Sequence, residues 1–263
     1  MTHPFFDSPK PRILAHRGFV TEAQAADGIL ENTRAAFATA LAAGAGYLES
    51  DCHLTSDGTV VFFHDDDLSR TLGDPRSVAD VTFAELSRLM ASRGGLLSLE
   101  AALTEFPEAR WNLDFKAEGV PEPAGEMIGR IAPDRVLITS FSAARRLRGL
   151  QAAHDALAHA GSASTVATSA DQRAMVRIML AVASRSRALQ ARAFRGLDAL
   201  QIPERQGAIT VLSGRLIEAA HRHGTEVHVW TVNDPERMRA LIELGVDGIV
   251  TDRTDHAVSA LRP

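Results

Sequence analysis

Gly46-Tyr47-Leu48-Glu49-Ser50-Asp51-Cys52-His53-Leu54-Thr55-Ser56-Asp57-Gly58-Thr59-Val60-Val61-Phe62-Phe63-His64-Asp65 sets apolar side chains on either side of an Asp-Gly pair, with two carboxylates before the pair and a histidine after it. Side chains of an extended strand repeat on one face every second residue, so Glu49 and Asp51 project together and their oxygens can converge on one hard cation. Ser56-Asp57-Gly58 supplies the positive φ of a tight connection, which makes 59–63 the returning arm of a hairpin and brings His64 back beside the acids. Taken without its neighbours, the same stretch also fits a surface hairpin with solvated acids.

The flanks add chemistry. Upstream, Arg12-Ile13-Leu14-Ala15-His16-Arg17-Gly18 is a short apolar strand ending in a histidine and an arginine, and Glu31-Asn32-Thr33 opens an Ala-rich helix. Downstream, Trp111-Asn112-Leu113-Asp114-Phe115-Lys116 repeats the same-face spacing with an acid and a base. Further on come Ile138-Thr139-Ser140-Phe141, Val227-His228-Val229-Trp230-Thr231-Val232-Asn233 and Gly245-Val246-Asp247-Gly248-Ile249-Val250-Thr251-Asp252. In order and spacing this series resembles the glycerophosphodiester phosphodiesterase family, whose pattern runs His-Arg-Gly, Pro-Glu-Asn-Thr, Glu-x-Asp, His-Asp and Glu-x-Lys. The likeness extends over nearly the whole chain.

The resemblance implies metal-dependent hydrolysis of glycerophosphodiesters to sn-glycerol 3-phosphate and an alcohol. At the matching positions, His16 and His64 become the pair that removes one proton and supplies another, as imidazoles titrating near neutrality can. Glu49, Asp51 and Asp114 offer only oxygen donors, which suits Mg²⁺ or Ca²⁺ rather than a thiolate-seeking metal. Glu31 either meets the metal, directly or through its waters, or is a helix N-terminal acid favoured by the macrodipole. Arg17 and Lys116 are fixed cations for the non-bridging phosphate oxygens, and Phe141 and Trp230 are apolar walls for the leaving alcohol. The chain departs from the pattern at Leu30, where the family has proline, and at Asp114, where it usually has the longer glutamate. The segment after His64 is short beside members that carry an inserted cap domain, which implies a more open pocket.

Two other functions fit the same residues. One is a lysophospholipase D-like activity on single-chain phospholipids; the other is a barrel that binds a phosphorylated ligand without turnover. A binder needs no paired acid and base, so the two histidines argue against it. A single-chain lipid needs an apolar groove, and 65–97 offers only scattered Leu68, Leu72, Phe83 and Leu86, most of which a helix would bury. Much weaker activity on lysophosphatidylcholine than on glycerophosphocholine is therefore expected.

Composition narrows the class. With 28 basic and 33 acidic residues the net charge is −5, against a nucleic-acid groove that needs many phosphate contacts. The first ten residues have neither a basic nor an apolar region of a secretory signal, and no apolar run approaches the ~20 residues of a membrane span, so a cytoplasmic protein without stable membrane insertion is expected. The single cysteine, Cys52, falls inside a strand and reads as a buried structural thiol rather than a nucleophile. Nothing in the sequence dictates an oligomeric state.

At 263 residues the chain fits one domain over 1–263. Strands are expected at 12–16, 47–54 with its return at 59–63, 110–117, 135–141, near 164–169, and at 197–202, 226–232 and 247–251. Helices alternate with them, among them 31–44, 82–90, 143–154 and a long one from 171 to about 192, while 65–81 is a polar loop. Alternation of this kind implies right-handed crossovers and a parallel sheet, and eight such units fit a closed (β/α)₈ TIM barrel with a short hairpin insertion after strand two. The candidate residues then gather at the C-terminal ends of the strands, where such barrels place their sites.

Overall fold

Residues 3–262 are described by the computed structural model; Met1, Thr2 and Pro263, which the expected single domain over 1–263 includes, lie outside the described residues. The chain lays down β1 (Arg12–His16), then β2 (Tyr47–Leu54) with its antiparallel return arm β3 (Val60–Phe62), then β4 (Arg110–Phe115), β5 (Val136–Thr139), β6 (Ala167–Thr168) and β7 (Ala199–Ile202). A small outlying hairpin, β8 (Arg205–Gln206) and β9 (Ile209–Thr210), precedes β10 (Glu226–Val229) and β11 (Gly248–Thr251). Eight of these strands are parallel neighbours in the order β6-β5-β4-β2-β1-β11-β10-β7, and a parallel bridge between Ser169 and Ala199 joins the two ends. The result is the expected (β/α)₈ barrel, with the hairpin insertion on β2.

Period-two alternation sorts the side chains into layers. On β2, Leu48 and Cys52 pack outward beneath the helices with Trp111, Leu113 and Phe115 of β4. Tyr47 instead joins Leu14, Leu137, Ala167, Ala199 and Val250 in a separate cluster, with Phe5 and Phe6 of the short 3₁₀ turn Pro4–Phe6 packed into it. Glu49 and Asp51, two and four residues beyond Tyr47, therefore share its face at the other end of the strand. Cys52 is fully buried, and burial pushes its thiol well up, as expected of a structural cysteine.

Three expectations are corrected. The segment 65–81 is not simply a polar loop: Leu68 and Val78 are buried with Val61, Phe63, Leu86 and Met90 in an apolar cluster of their own. The helix expected from 171 to about 192 is two helices, Gln172–Ala183 and Arg187–Ala193, because Arg185 adopts a left-handed φ of 58° and Ser186 caps the second, its hydroxyl accepting from the Leu189 amide. The first long helix begins at Arg34, not 31: Asn32 has φ 57°, and the Thr33 hydroxyl caps the helix by accepting from the Ala36 amide. Among the described residues no helix is long and apolar enough to cross a membrane.

Candidate active site

The C-terminal ends of β1, β2 and β4 carry the charged part of the site. His16 is the last residue of β1, and the chain then turns through Arg17 (φ 59°) and Gly18 (φ 87°). Only glycine fits there, since a Cβ on Gly18 would lie 2.8 Å from Ala36 Cβ. The turn is fixed from both sides: the Arg17 amide donates to the Glu49 carbonyl at 3.0 Å, and the Asn32 amide donates to the Arg17 carbonyl at 2.8 Å. The His-Arg-Gly and Glu-Asn-Thr segments thus form one bracket around the end of β2.

Each of the two histidines is tied to an aspartate. His16 Nδ1 lies 2.6 Å from Asp252 Oδ1, and Asn233 donates to the other oxygen of Asp252 at 2.8 Å. His64 Nδ1 lies 2.6 Å from Asp65 Oδ1, and Arg70 holds Asp65 in turn, Nε to Oδ2 at 2.6 Å. In both rings Nε2 is the atom left for proton transfer. Burial pulls the His16 pKa down, but the Asp252 hydrogen bond and the charge of Glu49, whose Oε2 is 4.0 Å from Nε2, outweigh it and the net shift is upward. His53 is buried and its Nε2 lies 3.3 Å from the His64 carbonyl, so it braces the backbone of that residue.

The three acids are buried side by side. Glu49 is 8% exposed, Asp51 3% and Asp114 6%, and β2 and β4 pair in the register that sets Asp51 against Asp114. Burial and the neighbouring charge of Asp51 push Glu49 up to about 8. Asp114 is also raised, because burial outweighs the nearby Lys116. Lys116 Nζ spans the pair, 3.1 Å from Asp51 Oδ1 and 3.0 Å from Asp114 Oδ2, and the charges of both acids hold it up at about 12 against its own burial. Even so, Asp51 Oδ2, with Arg17 Nε 3.4 Å away, and Asp114 Oδ1 are buried and accept no hydrogen bond. Glu49 and Asp114, buried with raised pKa values, are short of positive charge, and the all-oxygen donor set they form with Asp51 fits Mg²⁺ or Ca²⁺. Among the described residues no three acids, imidazoles or thiols already converge as a coordination shell, so a cation would have to displace the Lys116 ammonium from between its partners.

Glu31 is placed differently from the rest. Its carboxylate accepts from Arg17 Nη1 at 3.1 Å and from Arg70 Nη2 at 2.7 Å; burial alone would raise its pKa, but the two guanidinium groups hold it below the usual range. It lies ahead of Thr33, the capping residue of the helix Arg34–Ala42, and does not line the cavity.

A cavity of about 520 Å³ unites the remaining candidates: His16, Arg17, Glu49, Asp51, His64, Asp114 and Lys116 line it, as do Phe141 and Trp230, whose ring centroids are 6.2 Å apart. Lys116 Nζ stands 5.7 Å from the Phe141 ring centroid. The opposite wall went unread in the sequence: it comes from helix Gln172–Ala183, through Met175, Val176 and Met179, and from the approach to and the second arm of the β8–β9 hairpin, through Pro203, Ile209 and Val211. Also unread were Asp252 and Asp65 as partners of the histidines. Asp252 directly follows the last strand, and barrel closure, which pairs β11 with β1, was the signal that set it beside His16.

The profile of the glycerophosphoryl diester phosphodiesterase family matches residues 16–256. A probable glycerophosphodiester phosphodiesterase 2 of Mycobacterium tuberculosis is 34% identical over 244 residues, spanning 92% of this chain and 87% of that protein. A lysophospholipase D of Rattus norvegicus is 34% identical over 119 residues, but these are 40% of this chain and 36% of that protein. Among solved structures, a phosphodiesterase of Oleispira antarctica in complex with the product sn-glycerol-3-phosphate superposes with a TM-score of 0.68 at 23% identity, covering 95% of this chain and 96% of that one. At that identity the likeness carries the fold, while the profile match and the M. tuberculosis relative carry the kinship: this chain belongs to the glycerophosphoryl diester phosphodiesterase family.

Proposed function

We propose that this protein hydrolyses glycerophosphodiesters to sn-glycerol 3-phosphate and an alcohol, with His16 and His64 as the proton-transfer pair. The observation that carries this is the twin arrangement of a histidine tied through Nδ1 to an aspartate at 2.6 Å, both histidines lining one cavity with three buried acids. One Nε2 takes a proton from the attacking hydroxyl and the other returns a proton to the departing alcohol oxygen; attack by water gives sn-glycerol 3-phosphate directly, whereas attack by the glycerol hydroxyl next to the phosphoester gives a cyclic phosphate that a water then opens to the same product. Asp252 and Asp65 fix the ring orientations and stabilise whichever imidazole becomes charged. Arg17 and Lys116 face the negative charge that builds on the non-bridging oxygens.

Glu49, Asp51 and Asp114 would hold a divalent cation, Mg²⁺ or Ca²⁺, which when bound supplies further neutralisation of the phosphoryl oxygens. Glu31, clamped between Arg17 and Arg70, serves as a positioning residue for Arg17. The phosphodiesterase of Oleispira antarctica, with sn-glycerol 3-phosphate bound on the same fold, supports the product assignment. A purified-enzyme panel of glycerophosphocholine, glycerophosphoethanolamine and glycerophosphoglycerol, with direct detection of sn-glycerol 3-phosphate, tests it. Hydrolysis of all three, with rates no more than about tenfold apart or ~1.4 kcal/mol in barrier, is expected. Binding of these compounds without any product would leave a barrel that merely holds phosphorylated ligands.

A further inference from the structure

A second cleft, of about 290 Å³, lies among the outer helices of the barrel and shares no lining residue with the catalytic cavity. Its walls are Val182 and Arg185 at and just beyond the end of the helix Gln172–Ala183, Arg187 and Gln190 of the helix Arg187–Ala193, and Arg215, Glu218 and Arg222 along one face of the helix Gly214–Arg222. Four guanidinium groups against one carboxylate leave an excess of three positive charges here, on a chain whose net charge is −5. That carboxylate is already engaged: Arg222 Nη1 donates to Glu218 Oε1 at 2.7 Å, and Nη2 donates to Gln190 Oε1 at 3.2 Å. Among the described residues Arg185, Arg187 and Arg215 form no ion pair and donate no side-chain hydrogen bond. Gln190, 4% exposed, is the buried floor; its Nε2 reaches the Ala181 carbonyl at a long 3.5 Å, which leaves a second N–H for a ligand.

The backbone does not offset this charge. Arg187 opens its helix and Arg215 stands in the first turn of its own, where the macrodipole disfavours a cation, and neither first turn holds an acid. Cations gathered in this way repel one another and cost stability until an anion joins them. We propose that the cleft is a second ligand site, which binds the phosphate group of a phosphomonoester between Arg185, Arg187 and Arg215, with Gln190 beneath it. The class of ligand follows from charge and shape. Guanidinium groups present paired N–H donors that match phosphate oxygens. A phosphodiester carries a single negative charge, whereas a phosphomonoester carries nearly two at neutral pH, the better match for three unpaired cations. A cleft at the small end of the ~300–1,000 Å³ of ligand pockets takes a phosphate with a short organic group. The assignment is independent of the catalytic reading, because the two sites have no side chain in common. A soluble phosphorylated compound and the headgroup of phosphatidic acid both offer this chemistry.

The test titrates methyl phosphate and dimethyl phosphate by calorimetry at low ionic strength into the intact protein, as wild type, Arg187→Gln and Arg215→Gln. Methyl phosphate should bind the wild type with a Kd below about 10 mM and at least ~tenfold more tightly than dimethyl phosphate. Each substitution should weaken it by ~tenfold or more, the effect of losing one charge-assisted hydrogen-bonding partner. Methyl phosphate that binds the wild type and both variants with one Kd lies elsewhere and overturns the assignment, as does a diester held as tightly as the monoester. Thermal unfolding separates a ligand site from a structural cluster. Without phosphate each variant should unfold no lower than the wild type, since it loses only an unpaired cation. A fall in Tm of several degrees in both would mean that the guanidinium groups serve the fold, and would overturn the site. Co-sedimentation with phosphatidylcholine vesicles, with and without phosphatidic acid, then identifies the source. Retention that needs phosphatidic acid and is lost in Arg215→Gln assigns the phosphate to a lipid headgroup, while methyl phosphate binding without retention assigns it to a soluble compound.

Discussion

The two ends of the barrel each bury a cluster of charges, and they treat them oppositely. At the N-terminal end Arg12, 2% exposed, donates to both oxygens of Glu226 at 2.8 Å and to the Phe6 carbonyl at 2.6 Å, and also bonds the Ser8 carbonyl. Glu226 is further met by His228 at 3.2 Å and Lys10 at 3.3 Å, while Asp247 accepts from Lys10, His221 and the Val227 amide at 2.6 to 2.8 Å. Burial would raise the Glu226 pKa, but the hydrogen bonds from His228 and Arg12 bring it down to about 2. At the C-terminal end Glu49 stands at about 8 and two carboxylate oxygens are orphaned. Buried charge costs free energy unless it is paired. The cluster whose carboxylate oxygens are all paired therefore holds the barrel base together, whereas the one with unpaired carboxylate oxygens keeps a deficit that a ligand can fill, as functional sites do.

Chelation is the strongest way to break that contrast. Stripping divalent ions should abolish hydrolysis of glycerophosphocholine, and Mg²⁺ or Ca²⁺ should restore it. Full turnover after exhaustive chelation, with elemental analysis showing no metal, would end the assignment of Glu49, Asp51 and Asp114 as ligands. At the other end, Arg12→Met leaves Glu226 without its bidentate partner and should cost about 3–5 kcal/mol in urea unfolding, the range for breaking a buried pair from one side. A loss under ~1 kcal/mol would show the base to be no better paired than the site.

His16→Ala or His64→Ala should each lower kcat by at least ~10²-fold, or ~2.7 kcal/mol, with less change in substrate binding. Near-wild-type turnover in either variant under saturating metal would rule out the two-histidine mechanism. The smallest effect sharpens the contrast through pH. Glu226 has a folded pKa below its ordinary 4.5, so its stabilisation is present above pH 4.5 and is lost as pH falls toward 2. Glu49 is raised from 4.5 to about 8, so in metal-free protein its contribution is full below pH 4.5 and is lost as pH rises through 8. A bound cation competes with that proton. The rise in Tm on adding Mg²⁺ or Ca²⁺ should consequently be greater at pH 8 than at pH 5, and an equal rise at both would mean that the cation does not bind at Glu49.

Much of this molecule was legible in the chain alone because it depends on short periods. Alternation in Tyr47–Leu54 and Arg110–Phe115 fixed which side chains share a face, Asp57-Gly58 fixed the hairpin, and the strand–helix rhythm fixed a closed parallel barrel with its candidate site residues at one end. Local dihedral choices were less visible: Asn32 and Arg185 take left-handed φ in segments whose composition favours helix, and each moved a helix boundary. Tertiary structure alone decided what no local spacing records. Closure of the barrel brought Asp252 to His16 across 236 residues. Packing of the helix Gln172–Ala183 by one stripe left a second stripe over for the cavity, and the fold set Lys116 between two acids without giving every oxygen a partner. Contacts between residues far apart in the chain arise only when the sheet closes, so the depth of burial, the charge deficit and the apolar wall of the site belong to the fold and not to any stretch of the sequence.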